Sequence, residues 1–215
     1  KHYRVWDESR ERDVLLAAAL QLGRRYHFDA RHATQVASLA LELFEGTAKL
    51  HGYGEEERGL LRLAGLLHDI GDFVSPQSHH KHSQYLIEHS DLVGLSPEKR
   101  SLVAQIARYH RRALPTTRHE PYRALGDADR RRVDALAGLL RIADAFDRGH
   151  RSKVKALNPR LKRRELVLEP ESQEDLNLEA WTADRKADLF RQTFDRELRV
   201  KLPDASSPGE VTAAQ

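Results

Sequence analysis

LLRLAGLLHDIG, from Leu60 to Gly71, is the stretch of this 215-residue chain that decides the fold. Its apolar run is typical of a buried helix. His68 and Asp69 end that helix, and an unpaired polar or charged group inside an apolar core is costly. The His-Asp pair therefore predicts partners elsewhere in the chain that share its site.

Two such partners lie on apolar helical patterns far away in the sequence. His32 falls in ARHATQVA, residues 30–37, and Asp144 falls in LLRIADAFD, residues 139–147. Two imidazoles and two carboxylates can hold a divalent metal and leave positions open for water and substrate. We therefore predict that these two residues and the His-Asp pair bind a divalent metal, which can be Mn, Mg, Fe, Ni or Zn. The alternative is a buried, hydrogen-bonded His-Asp pair without metal.

Histidines outside this quartet bear on the number of metals. His79, His80 and His82 follow the His-Asp pair closely, and His110 falls in YHRR, residues 109–112. His82 and His110 are the candidates for a second metal, because each opens or closes an otherwise apolar predicted helix. The alternative is that these histidines bind substrate phosphates or face the solvent.

The chemistry that such a metal site supports is hydrolysis of a phosphoester or phosphoanhydride. Asp69 is the candidate catalytic residue, since it can bind the metal and orient a water molecule. Arg111, Arg112 and Arg148 are candidate phosphate-binding residues, because a guanidinium group binds phosphate through two hydrogen bonds. Lys81 is a candidate that offers a point charge instead. For each of these cations the alternative is a surface salt bridge.

The composition limits the class of protein. Hydrophobic residues make up 40% of the chain, and no apolar run reaches the roughly 18 residues that span a bilayer. The absence of cysteine excludes disulfides and thiolate metal sites. No signal-peptide pattern opens the chain, so we expect a cytoplasmic location and no membrane partner. Because the chain also lacks methionine, even at position 1, we expect that it starts inside a longer gene product or has been trimmed.

The charge is distributed unevenly along the chain. The net charge is only +3, but the segment from Arg108 to Arg164 holds 17 Lys and Arg against 6 Asp and Glu. A local basic field favours polyanions. We therefore expect a phosphorylated small molecule or a polyphosphate as the partner, no nucleic acid, and a homodimer as one assembly that the sequence allows. The alternative is a set of solvated helix faces.

Hydrophobic periodicity predicts a mainly α fold up to residue 150. The expected helices cover residues 8–26, 30–50, 55–70, 82–90, 97–112 and 127–149. Beyond residue 150, strands are expected at 153–157, 165–169, 177–181 and 198–202, and a helix at 183–196. We predict a helical domain over residues 1–150, a small α+β appendage over 151–202 that is continuous with it, and a disordered tail over 203–215.

Five blocks of sequence, in order, resemble a known family. They read RHATQVASLALELFE, LLRLAGLLHDIGDFVSPQSHHKHSQYLIEHS, VAQIARYHRRALP, LLRIADAFDRGHRSKV and LNLEAWTADRKADLFRQTFDRELRV. Together they resemble the C-terminal HD-type domain of the exopolyphosphatase / guanosine pentaphosphate phosphatase (Ppx/GppA) family, over residues 1–202. The order H…HD…D is similar to that of the HD-domain superfamily, and this resemblance implies an HD-domain helical bundle with a small C-terminal α+β appendage.

The resemblance implies two alternative functions. One is a metal-dependent phosphohydrolase of HD type that acts on a nucleotide, an alarmone or another polyphosphorylated substrate. In the Ppx/GppA family, however, the site that hydrolyses polyphosphate or the pentaphosphate lies in two actin-like domains before this region. This chain carries none of their glycine-rich phosphate loops. The other function is therefore a non-catalytic domain that binds polyphosphate or an alarmone.

Overall fold

The computed structural model describes residues 2–202, with side chains from residue 13 onward. Over this range the chain forms ten α-helices and a small three-stranded sheet, which confirms the mainly α fold with a small α+β appendage. The helices are α1 His2–Arg25, α2 Ala30–Gly46, α3 Ala48–His51, α4 Glu55–Leu67, α5 His79–Glu88, α6 Pro97–Arg108, α7 Glu120–Arg123, α8 Asp127–Ala145, α9 Asn177–Lys186 and α10 Asp188–Phe194. No helix within residues 2–202 is long and apolar enough to cross a membrane.

The sheet and one short turn complete the described chain. The strands are β1 Arg160–Leu161, β2 Glu165–Leu168 and β3 Glu197–Val200, in the order β1-β2-β3. β1 pairs antiparallel with β2, and β2 pairs parallel with β3. A 3-10 helix, Ile70–Phe73, directly follows the end of α4.

Helix α2 begins where the sequence predicts it. The side chain of Asp29 accepts hydrogen bonds from the backbone N–H groups of Arg31 and His32, which is the usual role of an N-cap carboxylate. Val36 and Leu43 are fully buried on the core side of the helix. The cap therefore fixes His32 in the first turn of α2, on the side that faces the core.

Helices α2, α4 and α8 pack against one another at the centre of the molecule. Gly65 permits the close approach of α4 to α2, because a Cβ atom at this position would lie 2.8 Å from the Cα atom of Ala37. A larger residue would force the helices apart. The end of α4, with His68, is thereby held beside the start of α2.

Gly71 permits a second close approach, that of α5 to the end of the LLRLAGLLHDIG stretch. A Cβ atom at Gly71 would lie 2.2 Å from the carbonyl oxygen of His79 and 2.4 Å from the backbone nitrogen of Ser83. The N–H of Gly71 also donates to Oγ of Ser83 at 2.9 Å. The first turn of α5 is therefore fixed against the His-Asp pair.

The C-terminal helices are attached to α8 through a buried arginine. Arg141, on α8, donates to the carbonyl oxygens of Tyr109 at 3.0 Å and Lys186 at 3.2 Å. Its Nη2 lies 2.9 Å from a carboxylate oxygen of Asp188, at the start of α10. This network brings the end of α9 close to the end of α6.

Two predicted strands after residue 150 are wrong, and one predicted helix is divided in two. Residues 153–157 form only an isolated bridge between Ala156 and Glu171, and β1 lies between the strands predicted at 153–157 and 165–169. Residues 177–181 begin α9 rather than a strand, and the predicted helix 183–196 divides into the end of α9 and α10. The strands predicted at 165–169 and 198–202 correspond to β2 and β3.

In the first 150 residues, the helix boundaries differ from the predicted ones by a few residues. Helix α4 ends at Leu67 instead of residue 70, and α5 begins at His79 instead of residue 82. The predicted tail, residues 203–215, lies outside the described residues. The division into units 1–150 and 151–202 stays a prediction.

Candidate functional site

Four side chains from three separate helical segments meet in the core. They are His32 at the start of α2, His68 and Asp69 after α4, and Asp144 near the end of α8. The Nε2 atoms of the two histidines lie 3.2 Å apart. Oδ2 of Asp69 lies 3.6 Å and 3.5 Å from them, and Oδ1 of Asp144 lies 3.7 Å from each. We call these four residues the first cluster.

The two imidazole rings of the first cluster are oriented by hydrogen bonds at their Nδ1 atoms. Nδ1 of His68 donates to the carbonyl oxygen of Gly65 at 2.7 Å, and Nδ1 of His32 donates to Oδ2 of Asp147 at 2.9 Å. A carbonyl oxygen only accepts, so Nδ1 of His68 carries the hydrogen. In the neutral rings both Nε2 atoms then present lone pairs to each other, and only a shared proton or a cation makes that arrangement favourable.

A second group of side chains repeats this arrangement. Nε2 of His79 and Nε2 of His110 lie 3.2 Å apart, and Oδ1 of Asp69 lies 3.1 Å and 3.4 Å from them. Nδ1 of His110 donates to the carbonyl oxygen of Ala107 at 2.7 Å, and Nδ1 of His79 lies 2.5 Å from Oδ1 of Asp72. We call Asp69, His79 and His110 the second cluster.

The carboxylate of Asp69 connects the two clusters. Oδ2 faces the histidines of the first cluster, and Oδ1 faces those of the second. Oδ1 is buried and accepts no hydrogen bond within the described residues. A buried anionic oxygen without a hydrogen-bond donor is costly, and a bound cation removes that cost. The donor set of both clusters, imidazole nitrogen and carboxylate oxygen, suits a divalent transition metal.

The charges around the clusters keep both carboxylates ionised. Burial opposes ionisation, but the positive charge of His68 and the nearby rings of His32 and His79 hold the pKa of Asp69 well below its usual value. For Asp144, burial again opposes ionisation, and the ammonium group of Lys186 holds the pKa well below its usual value. The ionised form is the one that binds a metal.

The histidines differ in their protonation. Burial lowers the pKa of His32, but the hydrogen bond to Asp147 and the charges of Asp69 and Asp144 outweigh it and raise the pKa to about 10. Without a metal, His32 therefore carries a proton at neutral pH. Burial lowers the pKa of His110 well below its usual value, so this ring is neutral and ready to bind a cation.

A cavity of about 620 Å³ opens onto both clusters and is rimmed by cations. Its lining includes Arg111, Arg112, Arg148, Arg185 and Lys186. The Nη1 atom of Arg111 lies 3.0 Å from Nε2 of His79. The Nζ atom of Lys186 is in direct contact with Oδ2 of Asp144. The cavity thus combines two candidate cation sites with a positively charged mouth.

Comparison with known proteins places this arrangement in a family. The sequence matches the family described as Ppx/GppA phosphatase, domain III, over residues 14–192. The chain belongs to this family. A protein of Vibrio vulnificus named guanosine-5'-triphosphate,3'-diphosphate pyrophosphatase is 31% identical over 142 residues, which cover 66% of this domain III chain and 28% of that protein. The protein of the same name from Vibrio campbellii is 30% identical with the same coverage.

The domain III chain spans about 28% of the length of these two relatives. The family assignment confirms the resemblance found in the sequence. The activity in the relatives' names belongs to proteins more than three times as long as the matched segment. The chemistry of this domain III therefore depends on its own residues.

The structure corrects one predicted ligand of domain III. His79, and not His82, lies with His110 in the second cluster. Helix α5 begins three residues earlier than predicted, so its first residue, and not its fourth, reaches Asp69. His82 is half-buried, and its Cβ atom lies near Gly71.

The predicted phosphate-binding cations divide between two cavities. Arg111, Arg112 and Arg148 line the cavity over the clusters. Lys81 lies instead in a neighbouring cavity, on the other side of the first turn of α5. Lys81 therefore does not line the cavity over the two clusters.

Sequence reasoning missed several side chains that contact the clusters. Asp147 orients His32, and Lys186 contacts Asp144. The ring of His150 stacks on His32 with centroids 3.7 Å apart, and its Nδ1 lies 3.1 Å from a carboxylate oxygen of Asp29. Asp147 follows Asp144 by three residues on the same predicted helix, and that spacing was a usable signal.

Proposed function

We propose that this domain III is a metal-dependent phosphohydrolase of HD type that acts on a nucleotide, an alarmone or another polyphosphorylated substrate. The observation that carries the proposal is the pair of opposed Nε2 atoms in each cluster, with one carboxylate, Asp69, between them. His32, His68, Asp69 and Asp144 would hold one metal, and His79 and His110 would share Asp69 for a second. A divalent metal bound there supplies a water of lowered pKa and neutralises phosphate charge.

The side chains around the clusters have separate roles in this mechanism. Arg111 and Arg148 bind the phosphate oxygens and orient the phosphorus atom toward the clusters, since a guanidinium group offers two parallel donors. Asp69 is the catalytic residue that orients the attacking water through a carboxylate oxygen. Lys186, already in contact with Asp144, is placed to neutralise charge on the leaving oxygen.

A tryptophan at the mouth favours a nucleotide among the polyphosphorylated substrates. Trp181 lines the cavity and remains 54% exposed. The guanidinium carbon of Arg185 lies 4.8 Å from the centroid of the Trp181 ring, and this cation–π contact orients the ring. A large exposed aromatic ring beside phosphate-binding cations is a suitable platform for a nucleobase.

The proposed function is tested by metal content and phosphate release. The chain is purified without chelator, stripped with EDTA, reloaded separately with Mn, Mg, Fe, Ni or Zn, and assayed on GTP and on tripolyphosphate. We expect at least one metal per chain and hydrolysis only in the loaded protein. Failure of all five metals to bind at stoichiometric level would reject the proposal.

One observation favours the second candidate function, a non-catalytic domain that binds polyphosphate or an alarmone. Lys186 supplies Asp144 with a positive charge, so the first cluster is partly neutralised by the chain itself. Together with the cationic mouth, this arrangement also suits a polyanion-binding domain. Tight binding of tripolyphosphate by protein that takes up no metal would support this candidate.

Metal binding is expected to strengthen as the pH rises. The pKa of His32 is raised to about 10 in the metal-free protein, so a metal has to displace its proton at neutral pH. Each proton released increases the apparent affinity about tenfold per pH unit below that pKa. Titrating Mn²⁺ into EDTA-stripped protein between pH 6.5 and 8.5 measures this slope. A flat profile would show that His32 is already neutral or is not a ligand.

Replacing Trp181 with Ala is expected to weaken the binding of nucleotides but not the binding of tripolyphosphate. Base stacking on an aromatic ring contributes about 1–3 kcal/mol, so KM for GTP should rise about fivefold or more. KM for tripolyphosphate, which has no base to stack on the ring, should stay within twofold of the parent value. The Trp181→Phe variant keeps an aromatic ring and should recover most of the GTP affinity. Equal changes for both substrates would remove the nucleobase from the proposal.

A further inference from the structure

A second cationic cavity lies beside the one over the metal clusters. It has a volume of about 510 Å³, and we call it the basic pocket. Its basic lining residues are His80, Lys81, Arg108, Arg112 and His119. No carboxylate is among the described residues that line it. Arg112 lines both cavities, so the two are neighbours.

The cations of the basic pocket lack the counter-charges found elsewhere on the surface. Arg130 and Arg132 on α8 are paired with Asp127 and Asp129. Within the part of the chain that has described side chains, Lys81, Arg108 and Arg112 form no ion pair. Three uncompensated cations around one concave surface are repulsive unless an anion binds there.

Two buried nitrogen atoms at this pocket have no hydrogen-bond partner. His80 is only 8% exposed, and its Nδ1 is one of them. The other is Nε of Arg108, whose Nη1 donates to Oε1 of Gln84 at 2.8 Å. Unpartnered buried polar atoms are rare and costly, and they are expected where a ligand completes the hydrogen bonding.

The start of α5 adds to the preference for an anion. Ser78, the N-cap of α5, lines the basic pocket, and its side chain makes no capping hydrogen bond. The first turn of a helix presents free N–H groups and the positive end of the helix dipole. The same turn separates the two cavities, because His79 belongs to the second cluster and His80 to the basic pocket.

We infer that the basic pocket binds a phosphate group without the help of a metal. Three cations, Lys81, Arg108 and Arg112, the lack of a carboxylate among the described lining residues and two unpartnered nitrogen atoms together define the chemistry of the ligand. The phosphate group has two sources: a second phosphate of the substrate, in which case the inference rests on the proposed function, or free inorganic phosphate. Because the cavities share Arg112, a chain of phosphates bound over the clusters extends toward this pocket.

The test separates the basic pocket from the metal clusters by removing two charges. The double variant Lys81→Ala with Arg108→Gln changes the basic pocket and no residue of the clusters. The single variant Lys81→Ala is included because Lys81 is exposed, so its replacement leaves the core intact. Arg163→Ala with Arg164→Ala removes the same charge from a different surface. Binding of inorganic phosphate and of tripolyphosphate to EDTA-stripped protein is measured by calorimetry at fixed ionic strength.

We expect the double variant to bind both anions at least tenfold more weakly than the parent, the Lys81 variant to bind several-fold more weakly, and the control pair to be unchanged. Equal losses in the control pair would overturn the inference, because they would show a long-range charge effect only. Binding that requires added metal would also overturn it, because the anion would then occupy the clusters.

Metal-loaded protein identifies the source of the phosphate group. A tenfold rise in KM for tripolyphosphate in the double variant, with kcat and metal content unchanged, assigns the basic pocket to a second phosphate of the substrate. Unchanged hydrolysis combined with lost phosphate binding assigns it to free phosphate. Metal content is read separately in every variant, so a failure of the proposed function is distinguished from a failure of the basic pocket.

Discussion

Replacing Asp69 with Asn is expected to empty both clusters and to abolish hydrolysis. Each oxygen of Asp69 faces one pair of histidines, and an amide offers a single neutral oxygen. Affinity for the metals should fall by more than about 100-fold, which exceeds the loss typical of a residue that only supports a ligand. Metal per chain after dialysis and the rate of phosphate release measure the effect. The helical circular dichroism spectrum should stay unchanged.

The matched control for Asp69 is its neighbour Asp72. Among the described residues, the ion pair of Asp72 is with Nδ1 of His79, so Asp72→Asn should weaken the second cluster and leave the first occupied. We expect the Asp72→Asn variant to bind one metal per chain instead of two. Full metal content in the Asp69 variant would contradict the shared-carboxylate arrangement and the catalytic assignment together.

Replacing Asp147 with Asn is expected to lower metal affinity about 10- to 100-fold without touching a ligand. Asp147 is 2% exposed and accepts two hydrogen bonds, from Nδ1 of His32 at 2.9 Å and from the backbone N–H of Ser152 at 2.6 Å. An amide has one acceptor and one donor, so one of the two partners faces the wrong group in either orientation. The mismatch should also lower the free energy of unfolding by about 1–3 kcal/mol.

A surface carboxylate on α8, the helix that precedes Asp147, gives the control for this residue. Asp129 pairs with Arg132 on an exposed turn of α8, and Asp129→Asn should change neither metal affinity nor activity. Titration with Mn²⁺ and thermal unfolding of the stripped protein separate the two effects of Asp147→Asn. A variant that unfolds earlier yet binds metal as the parent does would assign Asp147 to stability alone.

The helical part of the fold could be predicted from sequence because its signals are local. Asp29 before α2 and Ser96-Pro97 before α6 are capping residues, and both act as caps in the structure. The short strands were less predictable, because strand preference depends on neighbours that are distant in the sequence. Residues 177–181 show this: Glu179, Thr182 and Ala183 are buried at helical spacing against α8, which outweighs the local pattern.

The metal quartet could be proposed from sequence because each member lies on an apolar helix. The second cluster was harder, since three nearby histidines compete and the boundary of α5 decides among them. Ser78, the residue before α5, adopts a left-handed backbone conformation, and serine gives no sequence signal for that conformation. His79 is therefore the first residue of the helix. Lys186 could not be assigned, because α9 reaches the clusters only through the packing of the C-terminal helices on α8.

The proposed ligands of the two clusters come from five different helical segments, and this has a consequence for local opening of the chain. Residues at the ends of α2, α4, α5, α6 and α8 all contribute a donor atom. Backbone amide hydrogens exchange with solvent when a segment opens locally. With a metal bound, none of these five segments can open separately until the metal is released. Loading the protein should therefore merge these five segments into one exchanging unit, while α7 and the short sheet continue to exchange on their own. In a chain without cysteine, the metals would replace covalent cross-links as the element that makes opening cooperative.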